Sequence, residues 1–235
     1  MRYFVSLLLL VACSSIGVAA ESKAKRTCRI LFLSPPENAP QKVYLNDGAD
    51  TRPVELPSLN LSEIYELAGG NIQIRLLAEP PVEGLPLATD LPAVAVPENV
   101  RDCYLLVTSD PKNAKLPLKL QIVDASPTGF RAGQMMWLNL TPYQVGGQLG
   151  SRTLNLKPNS QSILDSPTAG DDTYPVKIGY NPGKGQKPAL IVSTTWMHNI
   201  SGRNIVFVMM LPNSKIPRIK GYSDFRTPPK QGKTQ

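Results

Sequence analysis

Prolines and glycines interrupt this chain at short intervals and leave little room for helices. The sequence contains 23 Pro and 17 Gly in 235 residues, and apolar residues keep helical spacing for no more than two turns. Between the interruptions lie short segments rich in β-branched, aromatic and aliphatic residues, a composition typical of strands. Leu118, Leu120 and Ile122 alternate with Lys119 and Gln121, as in a half-buried strand. We therefore predict an all-β chain.

Turn sequences and prolines place the boundaries of the predicted strands. Ala68-Gly69-Gly70 and Asn181-Pro182-Gly183 are turn sequences, and each predicts a hairpin between its flanking strands. Five prolines within residues 80–97 predict an extended, polyproline-like connection over the surface, because proline lacks an amide donor. Strands are predicted at residues 29–34, 41–46, 62–67, 71–79, 103–109, 116–124, 133–140, 151–156, 174–180, 189–196, 204–211 and 216–222.

The two halves of the chain resemble each other. Residues 101–108, Arg-Asp-Cys-Tyr-Leu-Leu-Val-Thr, match residues 203–210, Arg-Asn-Ile-Val-Phe-Val-Met-Met, at an offset of 102 positions. Residues 30–35 similarly resemble residues 136–142. The match favours a duplicated unit of about 100 residues, the size of one β-sandwich. We expect two tandem β-sandwich (Ig-like) domains, with one large barrel as the alternative.

The first 20 residues have the features of a secretory signal. Met1-Arg2 supplies the positive start, residues 3–12 are apolar, and Val18-Ala19-Ala20 is a small-residue cleavage site. The alternative is a bacterial lipoprotein signal, Leu10-Val11-Ala12-Cys13, with the lipid on Cys13. Either signal places the protein outside the cytoplasm, periplasmic or secreted, and argues against nucleic acid as a partner.

Cleavage after Ala20 leaves two cysteines, Cys28 and Cys103, each at the start of an apolar segment. This position favours two neighbouring strand starts, and an oxidising compartment then allows one disulfide between Cys28 and Cys103. The alternative is a pair of buried thiols whose α-carbons are too far apart for a bond.

The positive charge is concentrated at the ends of the chain. The net charge is +7, yet residues 27–212 carry 15 basic and 16 acidic side chains. The basic residues near the C-terminus either contact an anionic surface or belong to a solvated tail; they are Lys215, Arg218, Lys220, Arg226, Lys230 and Lys233. We divide the chain into a signal peptide (1–20), a basic N-terminal segment (21–27), two sandwich domains (28–126 and 127–222) and a flexible basic tail (223–235).

A family resemblance covers about residues 28–77. The sequence RILFLSPPENAPQKVYLNDG at residues 29–48 resembles the opening of a family of bacterial exported β-sandwich domains of unknown function. In that family, a strand, a Ser-Pro loop and an Asn-Gly hairpin precede a glycine turn; here Asn46-Asp47-Gly48 stands in place of Asn-Gly. The resemblance implies export, a bacterial source and a β-sandwich, and it carries no catalytic residue.

Catalytic motifs are weak in the sequence. His198 is the single histidine, so multi-histidine metal sites are excluded and a Ser-His-Asp triad must use it. Because the sequence lacks Gly-x-Ser-x-Gly, no nucleophile elbow is supplied, and we expect His198 in a loop without catalytic duty. Two acidic clusters, one of Asp47 and Asp50 and one of Asp165, Asp171 and Asp172, are typical of turns, with a calcium site as the alternative. We predict no cofactor.

Aromatic residues offer a candidate ligand surface. Tyr143 and Tyr180 lie beside turns, and we expect them to be exposed, where their rings can stack on a ligand such as a sugar. Trp137 and Trp196 fall within apolar segments and are predicted to lie in the core.

These observations favour a non-catalytic exported protein of the cell envelope with a binding or structural-assembly role. Its partner would be an envelope polymer or envelope protein, and a membrane surface would be contacted through the basic tail or a lipidated Cys13. Two alternatives stay open. One is an enzyme that acts on an envelope glycan through an Asp/Glu pair. The other is an assembly subunit completed by strand addition at an exposed sheet edge.

Overall fold

The computed structural model of the chain describes residues 26–183, 185–211 and 214–226. These residues form sixteen strands in four four-stranded sheets, which confirms the predicted all-β fold. The first eight strands are β1 (Arg26–Phe32), β2 (Lys42–Asn46), β3 (Thr51–Glu55), β4 (Tyr65–Leu67), β5 (Ile72–Leu77), β6 (Ala93–Val96), β7 (Asp102–Ser109) and β8 (Leu118–Asp124). The last eight are β9 (Met135–Asn139), β10 (Gln144–Leu149), β11 (Arg152–Leu156), β12 (Ser160–Leu164), β13 (Thr173–Asn181), β14 (Ala189–Met197), β15 (Arg203–Met209) and β16 (Arg218–Asp224).

The second half of the chain repeats the strand order of the first. Strands β1–β8 form an outer sheet 1 (β3-β2-β5-β6) and an inner sheet 1 (β4-β1-β7-β8). Strands β9–β16 form an outer sheet 2 (β11-β10-β13-β14) and an inner sheet 2 (β12-β9-β15-β16). Within the described residues, no helix is long and apolar enough to cross a membrane. The repeated order is the arrangement that a duplicated sandwich unit produces, while the Ig-like assignment stays a prediction.

Three apolar clusters stack the four sheets into layers. The first fills the space between outer and inner sheet 1 and includes Ile30 and Leu105. The third fills the space between outer and inner sheet 2 and includes Trp137. The second joins the two inner sheets face to face and includes Leu31 and Phe207. The two sandwiches therefore share a continuous apolar interface rather than meeting at a linker.

The inner sheets are buried on both faces. Strands β1 and β7 pair in parallel, as do β9 and β15, whereas the other strand pairs are antiparallel. Parallel strands commonly lie in sheets that are covered on both sides, and their sequences read as continuous apolar runs. The sequences of β7 and β15 fit this description, because nearly every residue in them is buried.

The burial pattern corrects the alignment of the two halves. Leu105 faces the core of the first sandwich and Val206 faces the core of the second, and β7 begins at Asp102 whereas β15 begins at Arg203, so equivalent positions in the two strands differ by 101 residues. The sequence match at 102 is therefore wrong by one position, because successive strand residues face opposite sides. Asp102 becomes the counterpart of Arg203, and both are buried, whereas Arg101 is exposed.

Several predicted boundaries differ from the structure. The turn at residues 68–70 is not a hairpin, because β4 pairs with β1 while β5 pairs with β2 and β6. Strand β1 already begins at Arg26, whose buried guanidinium donates to the carbonyl oxygens of Val100, Ala68 and Pro97. Strand β16 continues to Asp224. The inner sheets thus include Arg26 and Thr27 at one end of the chain and Ser223 and Asp224 at the other.

Candidate functional site

Among residues that the structure describes, the longest strand at a sheet edge is β14, which borders outer sheet 2. It contains nine residues, Ala-Leu-Ile-Val-Ser-Thr-Thr-Trp-Met, and pairs with β13 on one side. In the described part of the chain, nothing pairs with its other side. Leu190 is 53% exposed and Met197 is 70% exposed. The strand thus presents free backbone donors and acceptors together with apolar side chains.

No ionisable residue occurs in β14, which sets it apart from most other edge strands. Strands β3, β4, β8, β11 and β16 all carry charged residues, and β3 also contains Pro53. The uncharged edges β6 and β12 are short, with four and five residues. Charge, proline, short length and β-bulges are the usual features that prevent an edge from pairing with another strand. Strand β14 has no charge, no proline and the full length of nine residues, and its one irregularity is a register shift at Ile191, opposite Ile178 and Gly179 of β13.

A groove of about 460 Å³ opens between β14 and β16, the two sheet edges on one side of the second sandwich. In the first sandwich the corresponding edges, β6 and β8, lie against each other. The residues that line the groove carry no ionisable group other than the Tyr174 phenol. They include Met135, Tyr174, Trp196, Val206, Ile219 and Gly221.

Gly221 accounts for part of the open space. It lies in β16 opposite Val206, at a position where a side chain would face the groove. A Cβ added to Gly221 would meet only the Val206 Cγ2 atom, at 3.9 Å. The groove therefore has room for a side chain that this sequence does not supply.

A buried ion network lies between the two inner sheets. Asp224 is fully buried and accepts hydrogen bonds from Arg29 Nη1 (2.6 Å), Arg203 Nη2 (2.6 Å), Arg226 Nε (3.0 Å) and the Tyr104 hydroxyl (2.6 Å). Burial opposes ionisation of Asp224, but the hydrogen bonds and positive charges outweigh it and lower its pKa to about 2. The carboxylate thus stays ionised and joins strands from both sandwiches.

The second carboxylate of the network is Asp102. It accepts bonds from Arg203 Nη2 at 3.0 Å, Arg226 Nη2 at 3.0 Å and Thr27 Oγ1 at 2.8 Å. Arg203 also lies over the Phe130 ring at 4.8 Å. Asp102 and Arg203 occupy equivalent positions of the two halves, so the halves carry opposite charges at this position, and these charges pair across the interface.

His198 is buried and forms a pair with a serine. Its Nε2 atom lies 2.8 Å from Ser166 Oγ, and Ser166 donates its hydroxyl proton to the Thr168 carbonyl. The geometry therefore assigns the proton of His198 to Nε2, which donates to the serine. A histidine that activates a serine must instead accept the serine proton. Burial lowers the pKa of His198, against a smaller opposite effect from Asp171.

Cys28 and Cys103 occupy one register position of the parallel pair β1–β7, which confirms that they lie on neighbouring strands. Both are free and fully buried, so a disulfide is not shown. The neighbouring Cys103 thiol and burial raise the pKa of Cys28 well above its usual value. The Cys28 thiol is therefore held in the protonated, weakly reactive form.

The predicted stacking residues lie together. The rings of Tyr143 and Tyr180 are 5.3 Å apart at an angle of 51°. Tyr180 is only 7% exposed, so its expected exposure is wrong; its ring packs on the core of the second sandwich. Trp137 is fully buried, as predicted, and Trp196 packs partly buried against the same core.

The predicted basic residues are divided between surface and interior. Lys215 and Arg218 are exposed, Lys220 is half-buried, and the guanidinium of Arg226 is engaged by Asp102 and Asp224. Surface contact thus stays a prediction for the first three. The signal peptide, Cys13, Lys230 and Lys233 lie outside the described residues.

The acidic turns are used for internal hydrogen bonds. Both carboxylate oxygens of Asp47 are bonded, one to the amides of Ala49 and Asp50 and the other to the Ala68 amide and Arg52. Asp171 and Asp172 accept bonds from nearby backbone amides. Among residues 26–183, 185–211 and 214–226, no group of three or more His, Cys, Asp and Glu side chains is placed to hold a metal ion.

A polar cleft of about 450 Å³ opens at the β3–β4 edge of the first sandwich. Lys42, Glu55, Glu63 and Tyr65 all line it. Burial, together with the negative charges of Glu63 and Glu55, raises the pKa of Tyr65 against the effect of a backbone hydrogen bond. The cleft therefore brings two carboxylates and a phenol to one place.

Comparison with known proteins assigns no function to this site. No protein-family model matches the sequence, and no curated protein is similar enough to count as a relative. The resemblance over residues 28–77 stays a prediction.

The groove is the feature that sequence reasoning missed. Apolar alternation predicts the strand at residues 189–196, but it does not distinguish an edge strand from a central one. The segment also carries no charge, a property that it shares with central strands, so the sequence contains no local signal for its place at an edge.

Proposed function

We propose that the protein is a non-catalytic, exported binding or assembly protein of the cell envelope, and that its partners add a strand at β14. The observation that carries the proposal is the long edge strand without charge or proline beside an open groove. A strand added to an edge gains main-chain hydrogen bonds, and every second side chain points to one face. At β14, that face lies over the groove.

The contrast between the two sandwiches supports this proposal. The first sandwich closes the gap between β6 and β8, whereas the second leaves the equivalent gap between β14 and β16 open. An exposed edge of this kind promotes aggregation unless another strand covers it. Covering Leu190 and Met197 would also remove apolar surface from water. A partner strand satisfies both requirements.

Sedimentation with isolated bacterial cell envelopes tests the proposal. We expect the purified protein to sediment with envelopes, and Thr195→Lys to reduce the bound fraction at least tenfold, because a lysine on an edge opposes strand pairing. Gly221→Val should also reduce it, since its side chain enters the groove without a backbone clash. Binding should change little with salt, because neither the strand nor the groove carries a charged residue.

Thr153→Lys is the matched control. Thr153 is an exposed threonine on β11, the opposite edge of the same sheet, so the substitution adds the same charge away from the groove. It should bind as the unmodified protein does. If Thr195→Lys and Gly221→Val bound envelopes as well as the unmodified protein does, strand addition would be contradicted. Binding that weakens as the salt concentration rises would point to the basic residues instead. A protein that never sediments would contradict an envelope role.

An enzyme that acts on an envelope glycan is the second candidate, favoured by the cleft that holds Glu55 and Glu63. A pair of carboxyl groups at one cleft is the arrangement that glycoside hydrolysis uses. If the cleft is catalytic, the protein should release soluble fragments from purified envelope glycan, and Glu55→Gln and Glu63→Gln should each lower the rate at least a hundredfold. Glu37→Gln, an exposed residue outside the cleft, should leave the rate unchanged. A protein that releases no fragments would eliminate this candidate.

A further inference from the structure

We infer that the strand added at β14 is β14 of a second copy of this chain, so that the protein forms a two-fold dimer through this edge. This inference rests on the proposed function of β14: in the purified protein a second copy occupies the edge, and a strand from an envelope partner would have to displace it. In the dimer, the outer sheets of two molecules would join into one eight-stranded sheet, with the two β14 strands antiparallel at its centre.

Charge is the first argument for a second copy. Neither β14 nor the groove beside it carries a charged side chain. A partner strand with charged residues would have to place them against apolar side chains, which is costly unless they are paired. Another β14 brings only apolar and hydroxyl side chains to the contact. It therefore brings no charged side chain to an edge that has none with which to pair.

Symmetry is the second argument. Two identical strands can pair antiparallel about a two-fold axis, and each then meets the same residues in its neighbour. With the axis near Ser193 and Thr194, hydroxyl-bearing residues lie opposite one another at the centre of the pair. Trp196 of each copy then lies opposite residues 190–192 of the other, so apolar residues of the partner strand border the groove. One contact covers two uncharged edges.

The size of the contact sets the expected affinity. A strand of nine residues is about 30 Å long and one strand wide. Such a strip buries less than the ~1,200 Å² typical of stable complexes. We therefore expect a reversible dimer with a dissociation constant on the order of 10 µM.

Sedimentation equilibrium of the purified protein in the absence of envelopes tests the inference. Between about 1 and about 200 µM, the average mass should rise from one chain towards two. Thr195→Lys should shift the dissociation constant upward at least tenfold, and Thr153→Lys should leave it unchanged. Amide hydrogen exchange in residues 189–197 should slow as the protein concentration rises, and exchange in β11 should not.

A single-chain mass at every concentration would overturn the inference, as would an equal loss of dimer in the two lysine variants. A monomer that still binds envelopes through β14 would leave the proposed function standing and assign the edge to a different protein. If the protein dimerised but its amide hydrogen exchange slowed outside residues 189–197, the contact would lie on another surface. This result would also contradict the inference.

Discussion

Replacement of the buried carboxylate at position 224 is expected to remove a large part of the stability of this protein. Asp224→Asn keeps the shape of the side chain but removes the charge that pairs with Arg29, Arg203 and Arg226. Loss of one partner from a buried ion network costs about 3–5 kcal/mol, because the remaining charges are left unpaired. Whole domains are stable by about 5–15 kcal/mol, so this is a substantial fraction. Urea unfolding followed by circular dichroism measures it.

Asp124→Asn is the control for this substitution. Asp124 is the last residue of β8, as Asp224 is of β16, but it is exposed and accepts one bond from the Ser126 amide. An asparagine can accept the same bond, so the expected change is within about 0.5 kcal/mol. If the two variants lost similar amounts of unfolding free energy, the network would contribute no more to stability than one exposed turn.

The same carboxylate predicts how stability changes in acid. The pKa of Asp224 is about 2 in the folded protein, below its ordinary value of 3.8, so the unfolded chain binds the proton more readily. Its contribution is therefore complete above about pH 4 and is lost as the pH falls from there towards 2. The lost contribution is about 2 kcal/mol. Asp224→Asn should make the urea midpoint less sensitive to pH in this interval.

The strands of this fold could be predicted where alternation of apolar residues and turn sequences agree. Strand β10 is absent from the predicted strands, because Gly146 and Gly147 interrupt its apolar alternation. Gly147 is required by contact rather than by a bend, since a Cβ there would clash with the Lys177 carbonyl oxygen in β13. Strand β3 was missed because of Pro53, which is tolerated there at a sheet edge.

The ion network and the groove depend on contacts that no local pattern contains. Arg29 and Asp224 are 195 positions apart in the sequence, and they meet only because the two inner sheets pack face to face. The acidic residue was visible as the single carboxylate among the basic residues near the C-terminus, where it reads as part of a tail. Its role becomes evident only from the order of the strands, which brings β1, β7, β15 and β16 together.

Truncation of Trp137 is the second change with a large expected effect. Trp137 is fully buried in the core of the second sandwich and stacks on Trp196, with ring centroids 6.0 Å apart and planes at 11°. Trp137→Ala leaves a cavity that the surrounding strands cannot close, and such changes cost about 3–5 kcal/mol. Urea unfolding monitored by far-ultraviolet circular dichroism measures the loss.

Two further variants separate the cavity from the other effects of losing Trp137. Trp137→Phe keeps an aromatic ring and removes an indole N–H that has no hydrogen-bond partner among the described residues, so it should cost less than the alanine change. Trp196→Ala removes the stacked partner, which is partly exposed beside the groove, and should cost about 1 kcal/mol. If Trp196→Ala destabilised the protein as much as Trp137→Ala, the stacked pair rather than the filled core would hold the sandwich together.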